Sequence, residues 1–358
     1  MSLHIIRLDT MELGGDFKRD HPKLHSEDFE QGIGEFDHHT LFYDIVIKNN
    51  LILIYCPKLL NFEEIIRKSN FSIDGKSVKF KLKKFSRFDL IKIKSNGTIL
   101  NISNQIFSKQ WSLKKFDTNR FEKMNCLVTL NKNNKLEWIS DFVKFHIKYH
   151  NLDCILLFDN GSSSYTTLDL ESCLHKTGIK DYLIVTVPQP YGIISKSKNR
   201  CFSFLQPTLL NLAREKFFSD AGAVLSVDID ELVWKKEKSI FELAKSSFFG
   251  FVLFRGQWRF SKSNSKLHKH KDHKYIANET LNCPTKYCYT PNGISRWIPL
   301  SVHRLHPKRT HLRNLINYLL ETNDAGYWHC QSISTNWKPN RILKNKNLKV
   351  DEKFISYF

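Results

Sequence analysis

The stretch that most constrains this chain is Ala223-Val224-Leu225-Ser226-Val227-Asp228-Ile229-Asp230-Glu231-Leu232-Val233-Trp234. Its apolar, β-branched opening reads as a buried strand. Three carboxylates within four residues follow, and then another apolar trio. Unpaired carboxylates are costly to desolvate, so such an ending needs either a cation or a solvent-facing position. Hard oxygen ligands on a rigid strand end suit Mg²⁺ or Mn²⁺. Asp228 and Asp230 are separated by one residue, a spacing that on a strand turns both side chains to one side. A polar strand end meeting water is the alternative, and the rest of the chain decides between the two.

With 358 residues there is room for one large domain or two ordinary ones. A hydrophobic fraction of 41% and 27 Phe exclude a disordered chain. The formal charge of +19 favours a polyanionic partner: nucleic acid, an anionic membrane surface or a phosphorylated small molecule. No nucleic-acid motif is recognisable, and Lys and Asn are spread along the chain rather than concentrated in one arm. Nucleic acid is therefore not an expected partner. Such Lys and Asn richness is also what an AT-rich genome produces, so charge alone decides nothing.

The eight Cys form no C-x-x-C pair, and several sit in apolar runs, as expected of small hydrophobes in a reducing compartment. Met1 to Leu13 lacks the apolar core of an export signal. No run approaches the roughly 18 apolar residues of a membrane span. The expected location is cytoplasmic, with peripheral attachment to the inner face of an anionic membrane open to it.

Residues 1–120 read as a β-rich region of unassigned role. Short apolar runs at Leu41–Ile47, Leu51–Cys56, Val78–Leu82 and Leu90–Ile93 alternate with turn signals such as Asp74-Gly75. One short helix is expected over Asn61–Lys68, and Ser108–Lys123 reads as a linker. From 121 to 358 the pattern becomes strand and helix in alternation. Strands are expected at Cys126–Leu130, Cys154–Phe158, Tyr182–Val187 and Ala223–Val227, with helices at Leu136–Tyr149, Thr167–His175 and Pro207–Phe218. That order predicts an α/β domain with a parallel sheet, in which ligands collect at the carboxyl ends of the strands. Three of those ends are polar: Asn131-Lys132-Asn133-Asn134, Asp159-Asn160-Gly161-Ser162 and Asp228-Ile229-Asp230-Glu231. A carboxylate at a strand end, such as Asp159, can accept from a ribose hydroxyl or a base N–H, and Gly161 permits close backbone approach. A plain Asx-type turn explains the same residues.

The run Leu127-Val128-Thr129-Leu130-Asn131-Lys132-Asn133 with Leu136-Glu137-Trp138-Ile139 resembles the opening strand and helix of GT-A fold glycosyltransferases. These are nucleotide-diphospho-sugar transferases with a Rossmann-like domain. The segment Asp228-Ile229-Asp230-Glu231-Leu232 is similar to the metal and diphosphate site of the family 2-like branch and of glycosyltransferase family 92. Trp328-His329-Cys330-Gln331 resembles the late His element of family 92, and Lys286 and His303 its Lys and His strand pair. The resemblance spans about residues 126–341. It implies a metal-dependent, inverting transfer from a nucleotide-sugar donor, a UDP-sugar above all, to a glycan or lipid-linked acceptor. Bacterial surface polysaccharide synthesis is the expected setting, since the opening residues show no export signal and such donors are cytosolic.

In that reading Asp228, Asp230 and His329 hold Mn²⁺ or Mg²⁺, while Asn131, Glu137, Asp159, Asn160 and Asp228 bind the donor. The catalytic base is unassigned, with Glu231, Asp272 and Glu279 as candidates. The run His268-Lys269-His270-Lys271-Asp272-His273 reads as a mobile basic loop, because interleaved ammonium groups repel a metal. His303 to His311 forms a basic patch, and Arg313–Leu320 reads as an amphipathic helix packed on the core. Two other classes remain open: a non-catalytic basic module that binds polysaccharide or nucleic acid, and a two-metal nucleotidyltransferase. The latter usually brings a Gly-rich phosphate loop near its first strand, and Asn131 to Lys135 contains no Gly.

Overall fold

The computed structural model describes residues 4–20, 36–194, 201–262, 268–277, 283–307, 310–333 and 347–358. The chain forms two compact units, one of Met1–Ile6, Phe121–Val187 and Asp220–Phe358, the other of Arg7–Arg120 and Pro188–Ser219. A single cut at residue 120 therefore does not separate them. The first six residues belong with the α/β unit, and 188–219 belongs with the β-rich one.

The α/β unit is built on nine strands: β1 (Ile5–Arg7), β2 (Asn125–Asn131), β3 (Cys154–Asp159), β4 (Asp181–Thr186), β5 (Ala223–Ser226), β6 (Glu231–Lys235), β7 (Phe251–Arg259), β8 (Thr285–Tyr289) and β9 (Ala325–Cys330). Their order is β1-β4-β3-β2-β5-β8-β7-β9-β6. Strands β4, β3, β2 and β5 run parallel, as apolar runs separated by long crossovers require. Beyond β5 the sheet is mixed, with β8 antiparallel to β5 and β7 and β9 parallel to β7 but antiparallel to β6.

Helix α1 (Leu136–His150) buries Trp138, Ile139, Phe142, Val143, Phe145, His146 and His150 along one face. Asn151 closes it in the left-handed conformation at φ 54°, where its backbone N–H reaches the carbonyls of His146 and Ile147. Helix α2 (Thr167–His175) starts with a reciprocal capping box between Thr166 and Asp169. Helix α3 (Ile240–Ser246) starts with another, between Ser239 and Glu242. The C-terminal residues, which the sequence pattern left unassigned, contribute a fully buried Phe354 to the same core.

The second unit contains two four-stranded antiparallel sheets. One runs Asp44–Lys48, Leu51–Cys56, Asp89–Lys94, Phe80–Lys84 in order. The other runs Ser108–Ser112, Ile99–Ser103, Asn70–Ile73, Lys76–Ser77. Residues 108–112 are thus an edge strand, where a linker is the sequence expectation. The Asp74-Gly75 turn has positive φ at both residues, 48° and 77°, the conformation of a tight hairpin.

The helix expected at Pro207–Phe218 is present as Leu205–Lys216, but it serves this unit rather than the parallel sheet. Lys216 Nζ lies 2.6 Å from Asp44 Oδ2, and Lys48 Nζ lies 2.6 Å from Glu215 Oε2. Apolar periodicity reveals that a helix has a face to bury, not which sheet covers it. The helix expected at Arg313–Leu320 is Thr310–Leu319, and Leu315, Tyr318 and Leu319 on it are exposed rather than packed inward.

Candidate active site

Asp228, Ile229 and Asp230 lie in the turn between β5 and β6, not on a strand, so alternation along a strand does not govern the two aspartates. Asp228 faces Lys286 on β8, whose Nζ donates to Asp228 Oδ2 at 2.6 Å and lies 3.0 Å from Glu231 Oε2. Asp230 faces His329 on β9, with Nε2 at 2.9 Å from Oδ2. Glu231 opens β6 and is paired in register with His329, whose Nδ1 is 3.8 Å from Glu231 Oε1. The Glu231 carboxylate also accepts the Asp228 backbone N–H at 2.8 Å, which closes the turn.

Neighbouring strands fix the imidazole of His329. Trp258 stands beside it in the parallel pairing of β7 and β9, and the rings stack at 4.0 Å with 21° between planes. Cys283 Sγ is 3.6 Å from His329 Nδ1 and 3.3 Å from the Tyr327 hydroxyl, which donates to the Pro284 carbonyl at 2.5 Å. From the other side His270 Nε2 donates to the Ile229 carbonyl at 2.9 Å, and the Cys330 N–H donates to the Asp230 carbonyl at 2.8 Å. The turn is therefore held at its centre and at both flanks.

Burial and charge act against each other throughout this cluster. At Asp228, burial favours the neutral acid, but the Lys286 ammonium outweighs it and holds the carboxyl below its ordinary range. Burial pushes Glu231 up to about 7, against the pull of the same ammonium and with the push of Asp228. Burial disfavours the Lys286 cation, yet Asp228 and Glu231 keep it charged. Burial likewise disfavours imidazolium at His329, and Asp230 overrides it, raising that group to about 10. Two buried cations thus neutralise the acidic turn. Asp228 is its most open carboxylate, with 34% of its side chain exposed against 15% for Asp230 and 2% for Glu231.

A second polar cluster closes the carboxyl ends of β2 and β3, which are in register at Asn131 and Asp159. Asn131 Nδ2 donates to Asp159 Oδ1 at 2.7 Å and to the Tyr165 hydroxyl at 2.8 Å. Ser162 Oγ donates to Asp159 Oδ1 at 2.6 Å, and the Ser162 N–H reaches Oδ2 at 3.2 Å. Asn160 donates through Nδ2 to the Val187 carbonyl at 2.7 Å. All three of Asn131, Asp159 and Asn160 are buried and clasp the loops to the sheet. Glu137 is exposed in the first turn of α1.

The His268–His273 run departs from a mobile solvated loop. It holds a one-turn helix, His270–Asp272, with His270 and His273 buried, and the Trp138 indole donates to the His268 carbonyl at 2.7 Å. Asp272 accepts the Lys269 N–H at 2.8 Å within that turn. Glu279 lies outside the described residues.

Sequence reasoning missed the part played by Lys286. The signal was a single Lys in the aromatic strand Thr285–Tyr289, because a fully buried Lys requires a partner. Trp258 and Cys283 gave no such signal, since their relation to His329 arises from strand register alone.

No protein-family model matches the sequence, and no curated protein matches it. Several solved structures are similar to the chain. TarS residues 1–349 of S. aureus, in complex with UDP-GlcNAc, has 10% identity, a TM-score of 0.34 and coverage of 60% of either chain. The galactosyltransferase LgtC, in complex with donor and acceptor sugar analogs, has 16% identity and a TM-score of 0.28 over 49% of this chain and 60% of its own. GalNAc-T7 with UDP, GalNAc and Mn²⁺ has 10% identity and a TM-score of 0.34 over 89% of this chain and 58% of its own. The chain thus spans about 60% of the length of the first of these structures.

Proposed function

We propose that the α/β unit is a GT-A glycosyltransferase domain that transfers a sugar from a nucleotide-sugar donor, a UDP-sugar above all, to a glycan or lipid-linked acceptor. The observation that supports this reading is the convergence of Asp230, Glu231 and His329, whose ligand atoms all lie within 4.8 Å of one another. The cluster sits at the carboxyl end of parallel strands, where sheets of this kind collect ligands. A diphosphate leaving group needs positive charge at such a place.

The residues present fit a divalent cation. Asp230 and His329 would hold it with Glu231 as a third ligand, and Asp228, the most open carboxylate, would face the donor. On binding, the imidazole would give up the proton that Asp230 stabilises without metal. An imidazole among carboxylates suits Mn²⁺ better than Mg²⁺, which prefers an all-oxygen set. Bound there, the cation would stabilise negative charge on the departing diphosphate. Lys286 keeps Asp228 ionised and holds Glu231 in place, and its own charge adds to the positive field at the turn. The Asn131–Asp159–Ser162 clasp shapes the loop beside which the nucleoside would lie. Inversion at the sugar, a role in bacterial surface polysaccharide synthesis and a site of action on the inner face of an anionic membrane complete the proposal.

Calorimetric titration with UDP in the presence of Mn²⁺, followed by a screen of nucleotide sugars for donor hydrolysis, tests it. Metal-dependent binding of a nucleoside diphosphate is expected. If no nucleoside diphosphate binds with or without metal, the transferase reading is abandoned. Salt-sensitive, chelator-indifferent binding to long polyanions would then favour a non-catalytic module.

A further inference from the structure

The second unit carries a charged surface of its own, and strand register fixes its members. In the sheet of Asp44–Lys48, Leu51–Cys56, Asp89–Lys94 and Phe80–Lys84, one face turns Ile54, Ile91 and Ile93 into the core. The opposite face meets the helix Leu205–Lys216, which packs on the first two strands. Lys216 reaches Asp44 there, and Glu215 reaches Lys48. Lys48 is paired with Leu51 and Leu51 with Lys94, while Leu53 is paired with Lys92. On the edge strand, Lys81 stands opposite Lys92 and Lys83 opposite Leu90. Alternation along each strand therefore puts all four lysines on the helix side of the sheet, past the strands that the helix covers. Lys81, Lys83 and Lys94 are exposed, and Lys92 is half-buried.

Among the described residues none of these four ammonium groups forms an ion pair. Glu215, the carboxylate that acts on Lys92, is already held by Lys48 at 2.6 Å and by Arg214 at 3.6 Å. Burial, and then the Lys83 ammonium, work against the charge on Lys92. Like charges directly opposite on neighbouring strands destabilise a sheet, so the Lys81–Lys92 pair works against the fold. Lysines on an exposed edge guard it against pairing with another sheet. That accounts for Lys81 and Lys83, but not for Lys92 and Lys94 on the strand inside the edge. An anionic ligand would offset the repulsion of all four. Their spacing is that of a ladder, roughly 5 Å across strands and about 7 Å along them, which suits a chain charged at each repeat better than one small anion. A single-stranded nucleic acid calls for aromatic rings on which bases stack, and a bilayer for apolar side chains that enter it. Neither of the two lysine-bearing strands exposes an aromatic or large aliphatic residue.

We propose that this face binds an extended acidic polysaccharide, with Lys81, Lys83, Lys92 and Lys94 pairing with successive charges along the chain. The face lies wholly within the second unit, so the proposal stands or falls independently of the transferase reading. Titration with nucleoside diphosphates judges the one, and binding of an acidic glycan the other.

The test is fluorescence anisotropy of labelled oligogalacturonate titrated with the full chain. Neutral dextran, DNA and phosphatidylglycerol vesicles serve as competitors. The wild type is expected to bind the probe with log affinity falling linearly against log salt, and dextran should not compete. Lys81→Gln with Lys92→Gln, and separately Lys83→Gln with Lys94→Gln, should each weaken binding by at least about tenfold and flatten the salt dependence. Neither pair should lower the thermal midpoint, since each removes a repulsion. Lys144→Gln with Lys238→Gln takes the same charge from exposed lysines of the α/β unit and should change affinity by less than about twofold. The proposal is overturned if the wild type ignores the probe, if both face variants bind it undiminished, or if the Lys144 and Lys238 variant loses as much as they do. It is equally overturned if DNA or the vesicles bind the wild type more tightly than the probe does, since the face then serves a nucleic acid or a membrane.

Discussion

Lys286 Nζ lies 2.6 Å from Asp228 Oδ2 and has 1% of its side chain exposed. A buried ammonium needs an ionised and fixed partner, and Asp228 is that partner. Glu231 at 3.0 Å completes the pairing, and the strand register that sets Lys286 opposite Phe254 places the amine under the turn. The ion pair therefore supports both the charge state and the shape of the acidic turn.

Removing that amine should be costly. Lys286→Met keeps much of the volume but leaves Asp228 and Glu231 facing each other without a cation. Breaking a buried pair from one side costs about 3–5 kcal/mol. Urea unfolding monitored by circular dichroism should show a loss of that order. A change within about 0.5 kcal/mol, the scale of ordinary surface substitutions, would show that the pair contributes little.

Metal affinity offers a separate handle on the neighbouring residues. Asp230→Ala and His329→Ala should each reduce Mn²⁺ affinity by more than the roughly 10- to 100-fold that outer partners contribute. Asp272→Ala, whose carboxylate caps its own one-turn helix, should leave affinity unchanged. Calorimetric titration of the three variants decides the point. Equal affinities in all three would remove Asp230 and His329 from the metal site.

Parts of this arrangement were legible in the sequence for definite reasons. The parallel strands are continuous apolar runs with polar ends, so Cys154–Asp159 and Ala223–Ser226 show through composition alone. The position of the acidic turn followed from the strand before it. What it faces did not, because Lys286 and His329 arrive from β8 and β9, some 60 and 100 residues away, through strand pairings that no local pattern encodes. Polar runs were equally ambiguous. His268–His273 looks solvated from its lysines, yet His270 and His273 are buried because each finds a backbone partner. The helix Leu205–Lys216 was visible, but the sheet it covers was not, since Lys216 and Glu215 find their partners on strands more than 160 residues earlier.

Gly256 tests how tightly the site is packed. It is paired with Tyr327 across β7 and β9, and a Cβ there would stand 2.3 Å from the Tyr327 ring and 2.7 Å from Cys283 Sγ. Tyr327 is fully buried and tied to the Pro284 carbonyl, so it has little room to yield. Gly256→Ala should cost about 1–3 kcal/mol by overpacking. It should also weaken Mn²⁺ binding, since Tyr327 and Cys283 flank His329. Unaltered stability and metal affinity would show that the ring moves without disturbing the imidazole.

The histidines of α1 predict how stability depends on pH. His150 Nε2 donates to the Val233 carbonyl at 2.8 Å and its Nδ1 accepts the Ile240 N–H at 3.1 Å, so the ring is neutral in the fold. His146 donates through Nδ1 to the Phe142 carbonyl at 2.8 Å. Burial lowers His146 to about 3 and His150 to about 4, against an ordinary value of 6.5. Both groups are neutral in folded and unfolded chains above 6.5, so there they impose no proton-linked penalty. Below it the unfolded chain takes up protons that the fold refuses, and stability falls with pH until the folded values are reached. The linkage amounts to about 2 kcal/mol per histidine at pH 5. Urea unfolding at pH 7.5 and pH 5 should show that decline in the wild type, and a shallower one in His146→Gln and His150→Gln. Identical pH slopes in wild type and both variants would mean that these rings are not what the fold keeps neutral.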